Sequence, residues 1–114
     1  MIQKAIVAVV TLVVLVAVGL GILVWRRPME VFAWSNRRAL IGAGFVKSTI
    51  DTPVGRQTIF SAGAGPSLLF LHGAGDHAGA WAKVAPAFTS DYRVIIPDLA
   101  GHGESGPESG PLGV

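Results

Sequence analysis

Two glycine-rich stretches carry the residues that could do chemistry. The first reads LHGAGDHAGAW over residues 71–81, and the second reads IPDLAGHGES over residues 96–105. Glycine tolerates positive φ and leaves no side chain in the way, so a glycine turn can point backbone N–H groups into a cleft. Acyl transfer needs such donors, because its transition state develops an oxyanion. The first stretch is therefore a candidate oxyanion site, although Gly73 and Gly75 could also serve only to make a tight turn.

The polar and aromatic side chains of these stretches favour structural roles. The spacing of His72, His77 and His102 matches no zinc pattern, and H-E-x-x-H is absent, so the sequence predicts no metal site and no cofactor. We expect His72 and His102 to brace their loops, and we assign His77 no catalytic role. Asp98 can accept backbone N–H groups in a tight turn. We expect Ser105 to close the second loop and Trp81 to pack at the start of a helix.

The two stretches together resemble the α/β-hydrolase family. They match its H-G-x-G-x-x-x-x-x-W and P-D-x-x-G-x-G-x-S patterns, in that order, over a resemblance that covers roughly residues 44–114. The structural positions of the two patterns are His72, Gly75, Trp81, Asp98, Gly101, Gly103 and Ser105. The resemblance implies that the residue after His-Gly, here Ala74, supplies one oxyanion N–H, with Gly73 as a possible support.

The family's nucleophile is missing from the chain. No serine has the glycine pair of G-x-S-x-G, and in the family the nucleophile, the acid and the catalytic His all follow this point. The resemblance therefore implies an amino-terminal fragment, inactive as given, of a hydrolase acting on an ester, thioester, amide or carbon–carbon bond, with Ser or Asp as nucleophile. The epoxide-hydrolase-like branch usually has Pro at the place of Gly75. The haloalkane-dehalogenase-like branch has a polar residue at the place of Ala74, so both positions argue against these branches.

The elements that must position the loops are those of an α/β fold. Residues 45–52 and 57–62 flank the turn signal Pro53-Val54-Gly55 and predict a β-hairpin. Residues 67–71 and 92–96 predict strands buried on both faces, and residues 80–88 predict a helix between them. A strand–helix–strand order indicates a parallel sheet wrapped by helices.

The amino-terminal segment predicts a membrane anchor over residues 1–27. Residues 5–24 carry no charge, and fourteen of the twenty are Ile, Val or Leu. As a helix they span about 30 Å, the thickness of a hydrocarbon core, and Trp25-Arg26-Arg27 closes the segment. A cleaved signal peptide is the alternative, but the apolar stretch is long for one and no A-x-A site follows. A buried core helix would need more protein around it than this chain provides.

Charge and composition limit the classes of partner that we expect for this protein. The chain has nine Lys and Arg against seven Asp and Glu, but residues 28–114 have six against seven, so the basic excess belongs to the anchor. We therefore expect no nucleic-acid partner, and we expect the lipid bilayer and a small-molecule substrate instead. Positive-inside counting places the carboxyl-terminal part in the cytoplasm. The absence of cysteine excludes disulfides and thiolate metal sites.

Two alternatives concern the rest of the chain. Residues 28–43 predict a linker, whose arginines could also lie on anionic headgroups, and residues 44–114 predict the start of the hydrolase domain. The rival to a hydrolase is a small single-pass membrane protein whose residues 44–114 form only an interaction module. So few strands and one helix would leave sheet edges and one sheet face open, which argues against the rival.

Overall fold

The amino-terminal unit is mostly one apolar helix. The computed structural model describes residues 1–107, which divide into a unit of residues 1–32 and a unit from Ala33 onward. Helix α1 spans Ile2–Arg26, and none of its residues is buried. Its 25 residues rise about 37 Å. By length and composition, this helix could cross a membrane.

The segment expected to be a linker is a second helix, α2, over Pro28–Gly42. Proline fits the first position of a helix because the N–H it lacks would have no partner there, and Glu30 in the first turn favours the positive end of the helix dipole. The end of α2 belongs to the core of the second unit, where Leu40 is fully buried. The segment therefore contributes to the packing of the domain that follows it.

A four-stranded sheet in the order β1-β2-β4-β3 forms the second unit. Its strands are β1 Val46–Thr52, β2 Gly55–Ala62, β3 Ser67–Leu69 and β4 Arg93–Pro97. Strands β1 and β2 form an antiparallel hairpin in which Thr52 pairs with Gly55. Strand β4 pairs antiparallel with β2 and parallel with β3. The predicted hairpin and the predicted parallel pair are both confirmed.

The core lies on one face of the sheet. Phe60 of β2 pairs with Ile96 of β4, and both side chains are fully buried. The buried apolar residues are Leu40, Phe45, Phe60, Ala78, Ala85, Val94 and Ile96. Burying a Phe or Ile side chain contributes roughly 1.5–3 kcal/mol, so this cluster provides much of the driving force for folding. It also fixes the carboxyl ends of β3 and β4, where the two glycine-rich loops begin.

The other sheet face is open, which corrects the prediction of a strand buried on both faces at residues 67–71. Strand β3 is shorter than predicted and lies at an edge of the sheet. Leu69 and Leu71 are 56% and 52% exposed, because no element among residues 1–107 covers this face. Strand β4 is more enclosed, since it pairs on both sides and buries Val94 and Ile96.

The predicted helix over residues 80–88 is also wrong. The chain forms two separate 3₁₀ helices there, Ala78–Trp81 and Ala85–Phe88. Residues 82–84 separate the two turns, and Pro86 lies in the first turn of the second, where the N–H that proline lacks would have no partner. The short 3₁₀ turns still cover the core face, because Ala78 and Ala85 are fully buried.

Candidate active site

The first glycine-rich loop leaves β3 and turns sharply. The Phe70 N–H still bonds to Ile95 O at 3.0 Å, which extends the parallel pairing by one residue. The turn is closed by the Asp76 N–H donating to Gly73 O at 3.2 Å, and Gly75 adopts φ +78 within it. Positive φ is strained for other residue types, so a glycine belongs at this position.

The tip of this loop presents an unused donor. Gly73, Ala74 and Gly75 are exposed. Within residues 1–107, the N–H groups of Gly73 and Ala74 have no hydrogen-bond acceptor. An exposed N–H on a fixed turn can donate to a bound anion or to a developing oxyanion.

His72 ties the first loop to the second. Its imidazole is buried, and Nε2 accepts a hydrogen bond from the Leu99 N–H at 2.9 Å. Because that nitrogen accepts, the ring proton is on Nδ1, which donates to Gly73 O at 2.8 Å. The ring of His102 lies 5.3 Å away, centroid to centroid, and its Nδ1 is 3.0 Å from Ala100 O.

Asp98 ties the second loop to the first 3₁₀ helix. Its carboxylate is buried, with Oδ1 accepting from the Ala78 N–H at 2.7 Å and Oδ2 from the Glu104 N–H at 3.0 Å. The Arg37 guanidinium lies 3.9 Å from Oδ2 and provides the nearest countercharge. Asp98 is fully used in holding backbone groups, so it is not a free catalytic acid.

The second loop closes on the sheet through Ser105. Its hydroxyl donates to Asp98 O at 2.6 Å and accepts from the Thr58 N–H at 2.8 Å. The loop turns at Gly101 and Gly103, with φ +74 and φ +54. The Gly101 N–H donates to Gly106 O at 3.0 Å. The Ser105 hydroxyl donates to a carbonyl and not to an imidazole, so it lacks the general base that a nucleophile needs.

His77 is held at the start of the first 3₁₀ helix. Its Nδ1 accepts from the Gly79 N–H at 3.0 Å, and its backbone N–H donates to Asp76 Oδ1 at 2.9 Å. Burial and the nearby Arg37 charge lower the pKa of His77 below its ordinary value of 6.5. Among the residues that the structure describes, no group of three or more His, Cys, Asp or Glu side chains could hold a metal ion.

Trp81 packs into the core rather than facing the loop tip. Its ring lies 5.1 Å from that of Phe70, centroid to centroid. Its Nε1 is buried and has no partner among residues 1–107. Arg37 and Thr58 contact the residues of this site, although the sequence did not predict a role for either. Neither lies in a motif, so only the tertiary fold reveals that they touch Asp98 and Ser105.

The segment that contains both loops is similar to a known protein family. Residues 66–111 match the family model of the alpha/beta hydrolase fold, which spans both glycine-rich loops. This part of the chain is similar to the α/β-hydrolase fold family, and the match covers the amino-terminal part of such a domain. Its described sheet is part of such a domain, with the two family motifs at the ends of neighbouring parallel strands.

The proteins to which this chain is similar carry the names of different kinds of hydrolase. A fluoroacetate dehalogenase from Burkholderia sp is 42% identical over 72 residues, covering 61% of this chain and 22% of the dehalogenase. The structure of an epoxide hydrolase from an endophytic Streptomyces is 32% identical, with a TM-score of 0.54, covering 59% of this chain and 20% of that one. A bacterial membrane phospholipase A is 28% identical, with a TM-score of 0.60, covering 90% of this chain and 34% of that one.

These relatives bear on the reaction branch. The dehalogenase and the epoxide hydrolase bear the names of the two kinds of enzyme against which Ala74 and Gly75 argued, so the comparisons do not single out one branch. The chain spans about a fifth to a third of the length of the three relatives.

Proposed function

We propose that the chain supplies the oxyanion loop of a membrane-anchored hydrolase. The enzyme would cleave an ester, thioester, amide or carbon–carbon bond by nucleophile–His–acid catalysis, with those three groups outside these 114 residues. The observation that carries the proposal is the exposed Ala74 N–H, which lacks an acceptor within residues 1–107. The loop that bears it is held by His72 and Asp98, so the donor is preorganised.

Among these bonds we favour an ester of a lipid. The likeness to the membrane phospholipase A covers 90% of this chain, which leaves about 11 residues outside it. Helix α1 has 25 residues, so the likeness includes part of the apolar helix as well as the loops. A hydrolase held at the bilayer by α1 would meet lipid esters at high local concentration.

The membrane anchor is part of the same proposal. Helix α1 is charge-free from Ala5 to Val24 and ends at Trp25-Arg26, where an aromatic ring and a cation suit the interface. Alkaline carbonate extraction of membranes should leave the full-length chain in the pellet. Recovery of a soluble product that begins after about residue 25 would instead indicate a cleaved signal peptide.

The side of the membrane can be tested because the chain has no cysteine. We propose that the sheet unit is cytoplasmic, by the positive-inside count. A single cysteine at the exposed Ser90 should then react with a membrane-impermeant maleimide only after the cells are lysed. Equal labelling of intact cells would place the unit outside.

The missing catalytic groups are tested in the gene. The reading frame after the Val114 codon should encode G-x-S-x-G or G-x-D-x-G, then an acid and a late His. A stop codon directly after Val114 would overturn the proposal of catalysis by this polypeptide and would favour the non-catalytic interaction module.

A further inference from the structure

One side of α2 stays uncovered although it carries large side chains. Trp34 and Ile41 are 61% and 52% exposed. Arg38 lies between them in sequence, and its Cζ sits 5.3 Å from the Trp34 ring centroid. Positions i, i+4 and i+7 share one helix face, so these three residues form a stripe, which we call the α2 outer stripe.

The neighbouring side of α2 faces the sheet unit. Leu40 is in the buried core, and Arg37 lies 3.9 Å from the Asp98 carboxylate. An added Cβ on Gly79 would come within 2.8 Å of Asn36 Cβ, which shows how closely this side of α2 approaches the first 3₁₀ helix. Packing therefore fixes which face of α2 points outward, and the outward face is the α2 outer stripe.

We propose that the α2 outer stripe docks on the headgroup region of an anionic bilayer and so orients the hydrolase unit on the membrane. A Trp ring, an aliphatic side chain and a cation on one helix face are the chemistry of an interfacial helix. Trp34 comes eight positions after Arg26, the last residue of α1, so the chain holds the start of the stripe within about 29 Å of the end of α1. Glu30 pairs with Arg27 at 3.1 Å, but Arg26 and Arg38 still leave this region with a net positive charge that complements anionic lipid.

The experiment uses the full chain in vesicles of phosphatidylglycerol and phosphatidylcholine. One nitroxide label is attached to a cysteine introduced by Ile41→Cys on the stripe or, in the matched control, by Ala39→Cys. Both positions are exposed on the same helix. A label at Leu12→Cys reports on α1. The readout is collision of each nitroxide with a water-soluble nickel chelate and with oxygen.

Docking predicts that nickel collision at position 41 is about threefold lower than at position 39, with oxygen collision raised at 41, because an interfacial face lies several ångströms below the headgroups. The protection should weaken in pure phosphatidylcholine vesicles and in Arg38→Gln. Equal nickel access at positions 41 and 39 overturns the proposal. If protection at position 41 is unchanged both in pure phosphatidylcholine vesicles and in Arg38→Gln, the proposed role of anionic lipid is overturned.

Two further outcomes separate the possible failures. The docking rests on the proposed membrane anchor, which the label at position 12 tests independently. Full nickel access at position 12 means that the anchor has failed, whereas protection at 12 without protection at 41 means that only docking has failed. Spin–spin broadening at position 41 that unlabelled protein dilutes away would assign the stripe to a second copy of the chain and overturn lipid docking.

Discussion

The backbone N–H of Leu99 donates to Nε2 of His72 across two loops that are 27 residues apart in sequence. The same imidazole holds Gly73 O through Nδ1, one residue before the candidate oxyanion donor Ala74. One side chain therefore fixes the position of the first loop relative to the second. We therefore predict that His72 acts by positioning the loop that bears Ala74 and not by contacting a substrate.

We expect His72→Ala to destabilise the enzyme by about 1–3 kcal/mol, because it leaves the partly buried Leu99 N–H without an acceptor. The measurement is urea unfolding of the complete enzyme proposed above, in detergent. His102→Ala is the matched control, since within residues 1–107 its ring hydrogen-bonds only to Ala100 O, two residues away. Equal losses for the two variants would contradict a specific loop-to-loop role for His72.

A second prediction concerns the contact between Gly103 and Asp98. A Cβ at Gly103 would lie within 2.5 Å of both carboxylate oxygens, at a backbone φ of +54. Gly103→Ala should therefore lose more stability than the ~1–3 kcal/mol that positive φ alone costs. Gly75→Ala separates the two effects, because Gly75 has φ +78 and nothing within 4 Å of an added Cβ. Comparable melting temperatures for the two variants would show that the loop around Asp98 yields to the new methyl group.

The third prediction is a pH dependence from His77. Its folded pKa is lowered below 6.5, first by burial and then by Arg37, so the unfolded chain binds more protons between the folded pKa and 6.5. The contribution of His77 to stability is therefore complete above 6.5 and is lost as the pH falls through that window. His77→Gln keeps an acceptor for the Gly79 N–H but does not titrate. Urea unfolding at pH 7.5 and 5.5 should show a smaller pH difference for this variant than for the wild type. An unchanged difference would assign the dependence to another group.

The fourth prediction is that residues 28–114, expressed alone, do not form a stable monomer. Leu69 and Leu71 lie on a sheet face that no element of residues 1–107 covers, and the outer side of the edge strand β3 has no partner strand among these residues. An open edge and an apolar face favour association over a folded monomer. Analytical ultracentrifugation and thermal melting in dilute solution provide the test. A cooperative melt of a monomeric species would show that the buried cluster around Phe60 suffices.

The sequence predicted those parts of the fold that local chemistry determines. Pro53-Val54-Gly55 specified the hairpin turn, and the apolar run at Val94–Ile96 specified an inner strand. The burial of residues 67–71 was not predictable, because it depends on what covers the sheet and not on the strand itself. In place of the single helix predicted over residues 80–88, residues 82–84 separate two short 3₁₀ helices, and Pro86 lies in the first turn of the second.

The candidate site, like the fold, was predictable from the sequence only in part. The glycine positions were readable, since positive φ at Gly75, Gly101 and Gly103 leaves a mark in sequence. The partners of Asp98 that lie outside its own turn were not predictable from the sequence. Ala78 contributes only a backbone N–H, and Arg37 comes from a segment interpreted as a linker. A contact that uses a backbone atom, or that joins segments far apart in sequence, does not require a particular residue type and so cannot be recognised in the sequence.

The last prediction tests the oxyanion role of Ala74 in the complete enzyme proposed above. Replacing Ala74 by lactic acid turns its amide into an ester and removes only the N–H, which has no acceptor within residues 1–107. If this donor stabilises the oxyanion, kcat on an ester substrate should fall by about 10²–10³, or ~3–4 kcal/mol in the barrier. Folding should weaken only slightly, since no internal hydrogen bond is removed and the ester only weakens Gly73 O as the acceptor for the Asp76 N–H and His72 Nδ1.

The matched control is the same replacement at Ala64, another exposed alanine whose N–H has no acceptor in the described part of the chain. It should leave kcat unchanged, because Ala64 lies in the turn before β3 and not after it. His77→Ala should lower kcat by less than about tenfold, well below the ~10²–10⁴ that a general acid or base contributes. A silent change at Ala74 together with abolished turnover in His77→Ala would exclude the oxyanion assignment and make His77 the catalytic residue of this loop.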